Sequence, residues 1–288
     1  MATALELAFE PIARGFYLEG LHVDGDTIWY TDVVQGGVRR VGSNHVLLPG
    51  RLMIGGLLQN HDGCLLVAGQ GDIAWADPAS DASGILVSGF QGTNEMYPDA
   101  AGGFVFGEMD LPAILRGERP GPSAINRVAK DRSVTKLWGD LTFANGLGIS
   151  ADGSTLFFNE SFSASRAFPI AQDGSLEAPR LLADKPDCDG MALDVEGHIW
   201  ITGFSSNHLL CLAPDGTEVR RLPLPGKAAT SLRFGGGDMR DLYVNVVDPT
   251  AAQCLADGTP LTEQTSILYR TRAPVAGASV PRTAFDLL

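Results

Sequence analysis

Glu19, Asn94, Asn145 and Asp189 are four oxygen-bearing side chains that fall at one point of a recurring pattern in this 288-residue chain. Each is followed by glycine or an acid (Glu19-Gly20, Asn94-Glu95, Asn145-Gly146, Asp189-Gly190), which lets the backbone open around a ligand. Strands otherwise disfavour Asp and Asn, so their recurrence in one register needs a cause. Two carboxylates aimed at one axis repel and raise each other's pKa unless a cation lies between them. Carboxylate and amide oxygens without His or Cys form a hard donor set, suited to Ca2+, Mg2+ or Mn2+ rather than structural zinc. Three protein ligands leave positions open for water and substrate, as a Lewis-acid site requires. The alternative is a water-filled neck in which these side chains hydrogen-bond one another; the cost of burying unpaired carboxylates argues against it.

The elements that must position these residues are short strands around glycine turns. Six units read apolar run, turn, β-rich run: HVDGDTIWYTDV, LQNHDGCLLVAG, YPDAAGGFVFGEM, ISADGSTLFFNES, LDVEGHIWITGF and RFGGGDMRDLYVNVV. Their turn glycines, Gly25, Gly63, Gly102, Gly153, Gly197 and Gly237, are spaced by 38, 39, 51, 44 and 40 residues. A period near 42 with a hairpin in each unit matches a four-stranded propeller blade. The expected fold is therefore all-β, one six-bladed β-propeller domain over residues 1–288 with the site at its central channel. Counting back from the turns places Gly55, Asn94, Asn145, Asp189 and Ala229 at the channel in units two to six, and Glu19 in unit one, whose turn is tighter.

Composition narrows the partners. A net charge of −13 opposes binding to nucleic acid, which needs a basic face. The opening MATALELAFEPIARG lacks the basic and apolar regions of a signal peptide, and no apolar run is long enough to span a membrane. Cys64, Cys188, Cys211 and Cys254 form no CxxC pair, so a reduced, cytoplasmic protein is expected. Residues 110–133 contain three prolines and read as a loop or one helical turn before a strand, an ordinary insertion in preference to a lid. Alternation turns Cys188 off the channel axis, and His22 is expected as a solvated surface residue. Met53, Met96, Phe143, Met191 and Phe204 lie near channel-facing positions, where they form an apolar wall or pack the core.

Four stretches carry a resemblance: LEGLHVDGDTIWYTDV, GTNEMYPDAAGGFVFGEM, FANGLGISADGSTLFFNES and CDGMALDVEGHIWIT. In order and spacing they resemble the signature regions of the gluconolactonase / regucalcin / luciferin-regenerating-enzyme family. The resemblance implies a six-bladed propeller with one catalytic divalent cation, calcium before Mg2+, Mn2+ or Zn2+. It places the metal ligands on Glu19, Asn145 and Asp189, and puts Asn94 in contact with substrate or with water at the ion. Asp99 corresponds to a further acidic position and is expected to shape its turn. Three departures stand out. The family's EGPxW reads Glu19-Gly20-Leu21-His22-Val23, its Asn-Asp pair is Asn94-Glu95, and Gly92 stands where sugar lactonases often carry Arg. Losing a guanidinium removes a bidentate clamp for hydroxyls or carboxylates, so the resemblance implies a substrate less polar than a sugar lactone.

The expected activity is metal-dependent opening of a lactone. The ion polarises the carbonyl, Asp189 (or Glu95) acts as base, and Asn94 positions the carbonyl oxygen. A phosphotriesterase or a lyase/isomerase on the same site is the second reading, and a non-catalytic interaction platform the third.

Overall fold

The computed structural model describes residues 7–288; the first six residues of the opening segment lie outside the described residues. Six four-stranded antiparallel sheets form the fold. Strand β1 (Glu10–Gly15) precedes blade one, made of β2 (Leu18–Asp24), β3 (Thr27–Asp32), β4 (Val38–Arg40) and β5 (Val46–Leu47). Blade two is β6 (Leu57–Gln59), β7 (Leu65–Gly69), β8 (Asp72–Ala76) and β9 (Ser83–Ser88). Blade three comprises β10 (Thr93–Pro98), β11 (Phe104–Glu108), β12 (Ser123–Val128) and β13 (Val134–Leu141), with helix α1 (Leu111–Leu115) between its second and third strands. Blades four and five are β14 (Ala144–Ile149), β15 (Thr155–Glu160), β16 (Ala164–Pro169), β17 (Arg180–Ala183), then β18 (Cys188–Leu193), β19 (Ile199–Gly203), β20 (His208–Leu212), β21 (Glu218–Pro223). Blade six contains β22 (Ala228–Gly235), β23 (Asp241–Val247) and, after helix α2 (Pro249–Ala256), β24 (Ser266–Arg272). Its fourth strand is β1, so the two ends of the chain share one sheet and close the ring. The first strands of neighbouring blades touch in sequence around that ring, β2 meeting both β6 and β22.

Five of the six turn glycines lie where the spacing puts them, in the left-handed region that L side chains avoid: Gly25, Gly63, Gly102, Gly153 and Gly197. In blade six the left-handed residue is Gly236 and not Gly237. As Gly25 does in blade one, Gly236 directly follows its strand, six residues beyond the bulge, which moves the channel position from the expected Ala229 to Thr230.

Apolar faces of adjacent blades pack together. Trp200 of blade five meets Phe234 of blade six edge-on at 5.7 Å. The last residues run across the face opposite the candidate site: Ala278 and Ala284 donate backbone hydrogen bonds to Leu193 and Gly102, and Phe285 packs on Phe104 at 5.7 Å. Residues 110–133 contain the single helical turn and the strand that the sequence implies. α1 leaves blade three and α2 leaves blade six, on opposite sides of the ring, yet the helices approach one another. They therefore arch across the channel mouth. Among the described residues no helix is long and apolar enough to cross a membrane.

His22 departs from the surface placement expected of it: it is 8 % exposed, with its Nε2 unpartnered. Burial and the Arg233 charge pull its pKa down to about 4, partly offset by Asp24 and Gln59. A histidine whose folded pKa lies below its unfolded value contributes stability above pH 6.5 that is lost as pH falls toward 4. The span corresponds to about 3 kcal/mol. His22→Gln is expected to flatten the loss of stability between pH 6.5 and 4, measured by urea unfolding across that range.

Candidate active site

The first strand of a blade starts at the mouth, and five of the six carry a bulge there. Register shifts fall between Leu18 and Leu21, Thr93 and Met96, Ala144 and Leu147, Cys188 and Met191, and Ala229 and Ser231. A bulge leaves a residue unpaired and re-aims its side chain. The residues in these bulges are Glu19-Gly20, Asn94-Glu95, Asn145-Gly146, Asp189-Gly190 and, in blade six, Thr230 by itself. Blade two has Gly55 at this point, and a Cβ there would collide with the side-chain oxygen of Asn94. Glycine in blade two thus makes room for the Asn94 amide, whose Nδ2 donates to the Ala144 carbonyl at 3.0 Å.

Carbonyls in the bulges, and that of Ile54 at the start of blade two, lie outside the ladder, so side chains from the neighbouring blades and strands take over. Thr31 donates to the Ile54 carbonyl at 2.8 Å. Asn159 donates to the Asp189 carbonyl at 2.7 Å and Thr202 to the Thr230 carbonyl at 2.9 Å. Asn245 donates to the Glu19 carbonyl at 3.0 Å, which also accepts from the Ser231 hydroxyl. With Asn94 on Ala144 and Thr93 between the Gly69 N–H and the Asp72 carbonyl, these bonds make a belt joining successive blades. Gly146 and Gly190 complete it, because a Cβ on either would press the backbone of the next blade at 2.5 Å.

Three acids share the space inside the belt. Burial pushes the Glu19 carboxyl well above its ordinary value, and the charges of Asp189 and Glu95 push it further. Asp189 is driven up in the same way by burial, then by Glu95 and Asp187, while the Asn145 amide draws it back. The Asp189 Oδ1 atom is buried without a hydrogen-bond partner. Asn145 donates to Ser161 at 3.2 Å, and Ser161 donates to the Cys188 carbonyl at 2.6 Å. Tyr17, absent from the sequence reading, lies close to both carboxylates; burial and their charges hold its phenol well above the usual range, protonated.

Glu95 is partnered differently. Its Oε1 lies 2.9 Å from Nη2 of Arg233, and both side chains are nearly buried. Arg233 Nη1 donates to the carbonyls of Met191 and Leu232 at 3.0 and 2.8 Å. Blades three and six face each other, so this ion pair crosses the channel. On its far side a cavity of about 130 Å3 is lined by His22, Gln59, Tyr97, Met191, Phe234 and Val280.

Other residues take structural places. Cys188 is buried in the core between blades four and five, its thiol pushed up by burial. Asp99 accepts from the N–H groups of Ala101 and Gly103 at 2.8 and 2.9 Å and pairs with Arg127 at 2.7 Å, closing its turn. Met96 and Met191 sit in the core. Away from the channel, Asp194, His198 and Cys211 bring three ligating atoms within 4.8 Å of one another. There Asp194 Oδ2 already accepts from the Trp200 indole at 2.8 Å and meets the His198 ring at 3.1 Å. Burial pushes the Cys211 thiol up to about 12, so this cluster reads as a braced hairpin.

Residues 19–248 match the SMP-30/gluconolactonase/LRE-like region. The chain belongs to this family. Among curated relatives it is 24 % identical over 269 residues to a pentonolactonase of Haloferax volcanii, covering 89 % of this chain and 90 % of that one. It is 32 % identical over 161 residues to regucalcin of Gallus gallus, covering 52 % of this chain and 53 % of the relative. Among solved structures, a luciferin-regenerating enzyme superposes with a TM-score of 0.80 at 18 % identity, over 97 % of this chain and all of the other. Within the family fold, the donor chemistry fits a hard divalent cation. The buried Asp189 and the partly buried Glu19 are close enough for Asp189 to oppose the ionisation of Glu19, the Asn145 amide lies beside Asp189, and the unpartnered Asp189 Oδ1 is the kind of orphan a cation satisfies.

Proposed function

We propose that this protein is a divalent-metal-dependent hydrolase that opens lactones, with Glu19, Asn145 and Asp189 as ligands and calcium as the first-choice ion. The observation that carries the reading is the pair of the partly buried Glu19 and the buried Asp189, each opposing the ionisation of its neighbours, with Asp189 Oδ1 unpartnered. A bound ion supplies Lewis-acid polarisation of the ester carbonyl.

The chain's own residues do the rest. Asp189 accepts the proton of the attacking water. Asn94 spends one amide N–H on the Ala144 carbonyl and offers the other to the lactone carbonyl oxygen, where negative charge develops. Attack on the carbonyl carbon breaks the ring C–O bond, and the proton held by Asp189 passes to the departing alkoxide, giving a hydroxy acid. Glu95 holds the floor of the site through Arg233, leaving Asp189 as the base. The relatives named as lactonases support this chemistry, and the α1–α2 arch supports exclusion of bulk water.

The substrate is less polar than a sugar lactone. At Gly92 a Cβ would lie 2.6 Å from the Leu111 Cβ and 3.1 Å from the Met109 carbonyl, so α1 fills the space in which a guanidinium would work.

The test is proton release from a lactone panel by the calcium-loaded protein, before and after chelation. Hydrolysis that stops on chelation and returns with the ion is expected. Full activity after exhaustive chelation, or cleavage of phosphotriesters in place of lactones, overturns the proposal.

A further inference from the structure

Three aromatic rings at the mouth take no part in the chemistry above. Phe143 stands two residues before Asn145. Phe162 follows Ser161, the acceptor of the Asn145 amide. Phe204 follows Gly203, which pairs with Cys188 beside Asp189. The rings form one surface: Phe143 meets Phe162 edge-to-face at 5.9 Å, and Phe162 meets Phe204 at 5.6 Å.

Phe162 is the unusual member. It is 60 % exposed and its φ is +67°, a left-handed conformation that is an outlier for a bulky residue. Its N–H donates to the Pro186 carbonyl at 2.7 Å, which fixes the loop in that shape. Fold stability gains little from an exposed ring in a strained position, and strain of this kind clusters at ligand clamps. The surroundings show what the ring faces. The α1–α2 arch spans blades three and six and divides the mouth in two. All three rings belong to blades four and five, on one side of the arch and beside two of the three proposed ligands.

We propose that Phe143, Phe162 and Phe204 form the entry wall of the site and bind an aryl or long alkyl substituent on the lactone ring, with Phe162 the principal specificity residue. This rests on the lactone reading above and adds the substituent, its position and the residues that select it. The polar ring of the substrate lies under the arch, and its apolar arm leaves across the three phenylalanines, which bury it edge-to-face.

The test compares kcat/KM of the calcium-loaded protein for γ-phenyl-γ-butyrolactone and γ-butyrolactone. The wild type is expected to prefer the phenyl compound, and Phe162→Ala to lower that preference about tenfold through KM. Phe204→Ala should lower it to a smaller extent, while Phe162→Tyr retains it. A preference equal in wild type and Phe162→Ala overturns the inference and leaves the lactone reading standing. A change of oligomeric state in Phe162→Ala without a change of preference also overturns it, by assigning the rings to a subunit contact. Failure of the wild type to open either lactone overturns the underlying reading.

Discussion

Asp189→Asn is expected to lower lactone turnover by about 10^3-fold or more and to strip the protein of its divalent ion, read by elemental analysis after gel filtration. The substitution keeps the shape of the side chain and removes one charge, so a loss cannot be ascribed to a cavity. The same variant should be more stable than the wild type once both are chelated, a result opposite to that of ordinary core damage. The reason lies in the buried acids. Glu19 and Asp189 both have folded pKa values raised above their ordinary 4.5 and 3.8, first by burial. A carboxyl raised on folding binds its proton more tightly in the native state, so its favourable contribution is complete below about pH 4 and is lost as pH climbs through the raised folded value. Chelated wild type should therefore lose stability as the pH rises from 4 toward 8, and added calcium should recover most at the upper end. Asp189→Asn removes one of the two acids and flattens the slope. Thermal unfolding with and without chelator at pH 5, 6.5 and 8 decides the matter. A chelated wild type that is equally stable at all three values would show that the carboxylates do not share one site.

Much of this arrangement is legible in the chain. Turn glycines announce each hairpin because only glycine adopts the left-handed backbone without strain, and counting back from them finds Glu19, Asn94, Asn145 and Asp189. Where three glycines run together at Gly235-Gly236-Gly237, the chain does not say which one turns or how far before it the bulge lies, and counting six residues back from Gly236 instead of eight from Gly237 exchanges Ala229 for Thr230. His22 is misplaced for a related reason. The bulge at Glu19-Gly20 breaks the alternation that would be used to face it outward, and no local pattern marks a bulge. The belt residues Thr31, Asn159, Thr202 and Asn245 could have been found by asking why polar side chains interrupt the runs TIWYTD, TLFFNE, IWITG and LYVNVV. The Glu95–Arg233 pair could not, because its partners lie on opposite blades and meet only when the ring closes.

That pair supports the second large effect. Arg233→Met is expected to destabilise the protein by about 3–5 kcal/mol, because it leaves the Glu95 carboxylate buried without its counter-charge. Glu95 keeps only a 3.3 Å contact from the Met96 N–H, and the Met191 carbonyl loses its donor as well. Placing an acid here is otherwise costly: the equivalent residues are Gly20, Gly56, Gly146, Gly190 and Ser231, all small. Only an opposing guanidinium makes a carboxylate tolerable at that depth. Adding Glu95→Leu to Arg233→Met should therefore recover most of the lost stability, since replacing both members of a buried ion pair with apolar groups is close to neutral. The double variant is also expected to retain its calcium, whereas Asp189→Asn does not, separating the floor of the channel from the ligands above it. Urea unfolding at pH 7.5 of the two single variants and the double variant gives the coupling directly. If the two single losses simply add, the ion pair does not bridge the channel, and Glu95 returns as a candidate base beside Asp189.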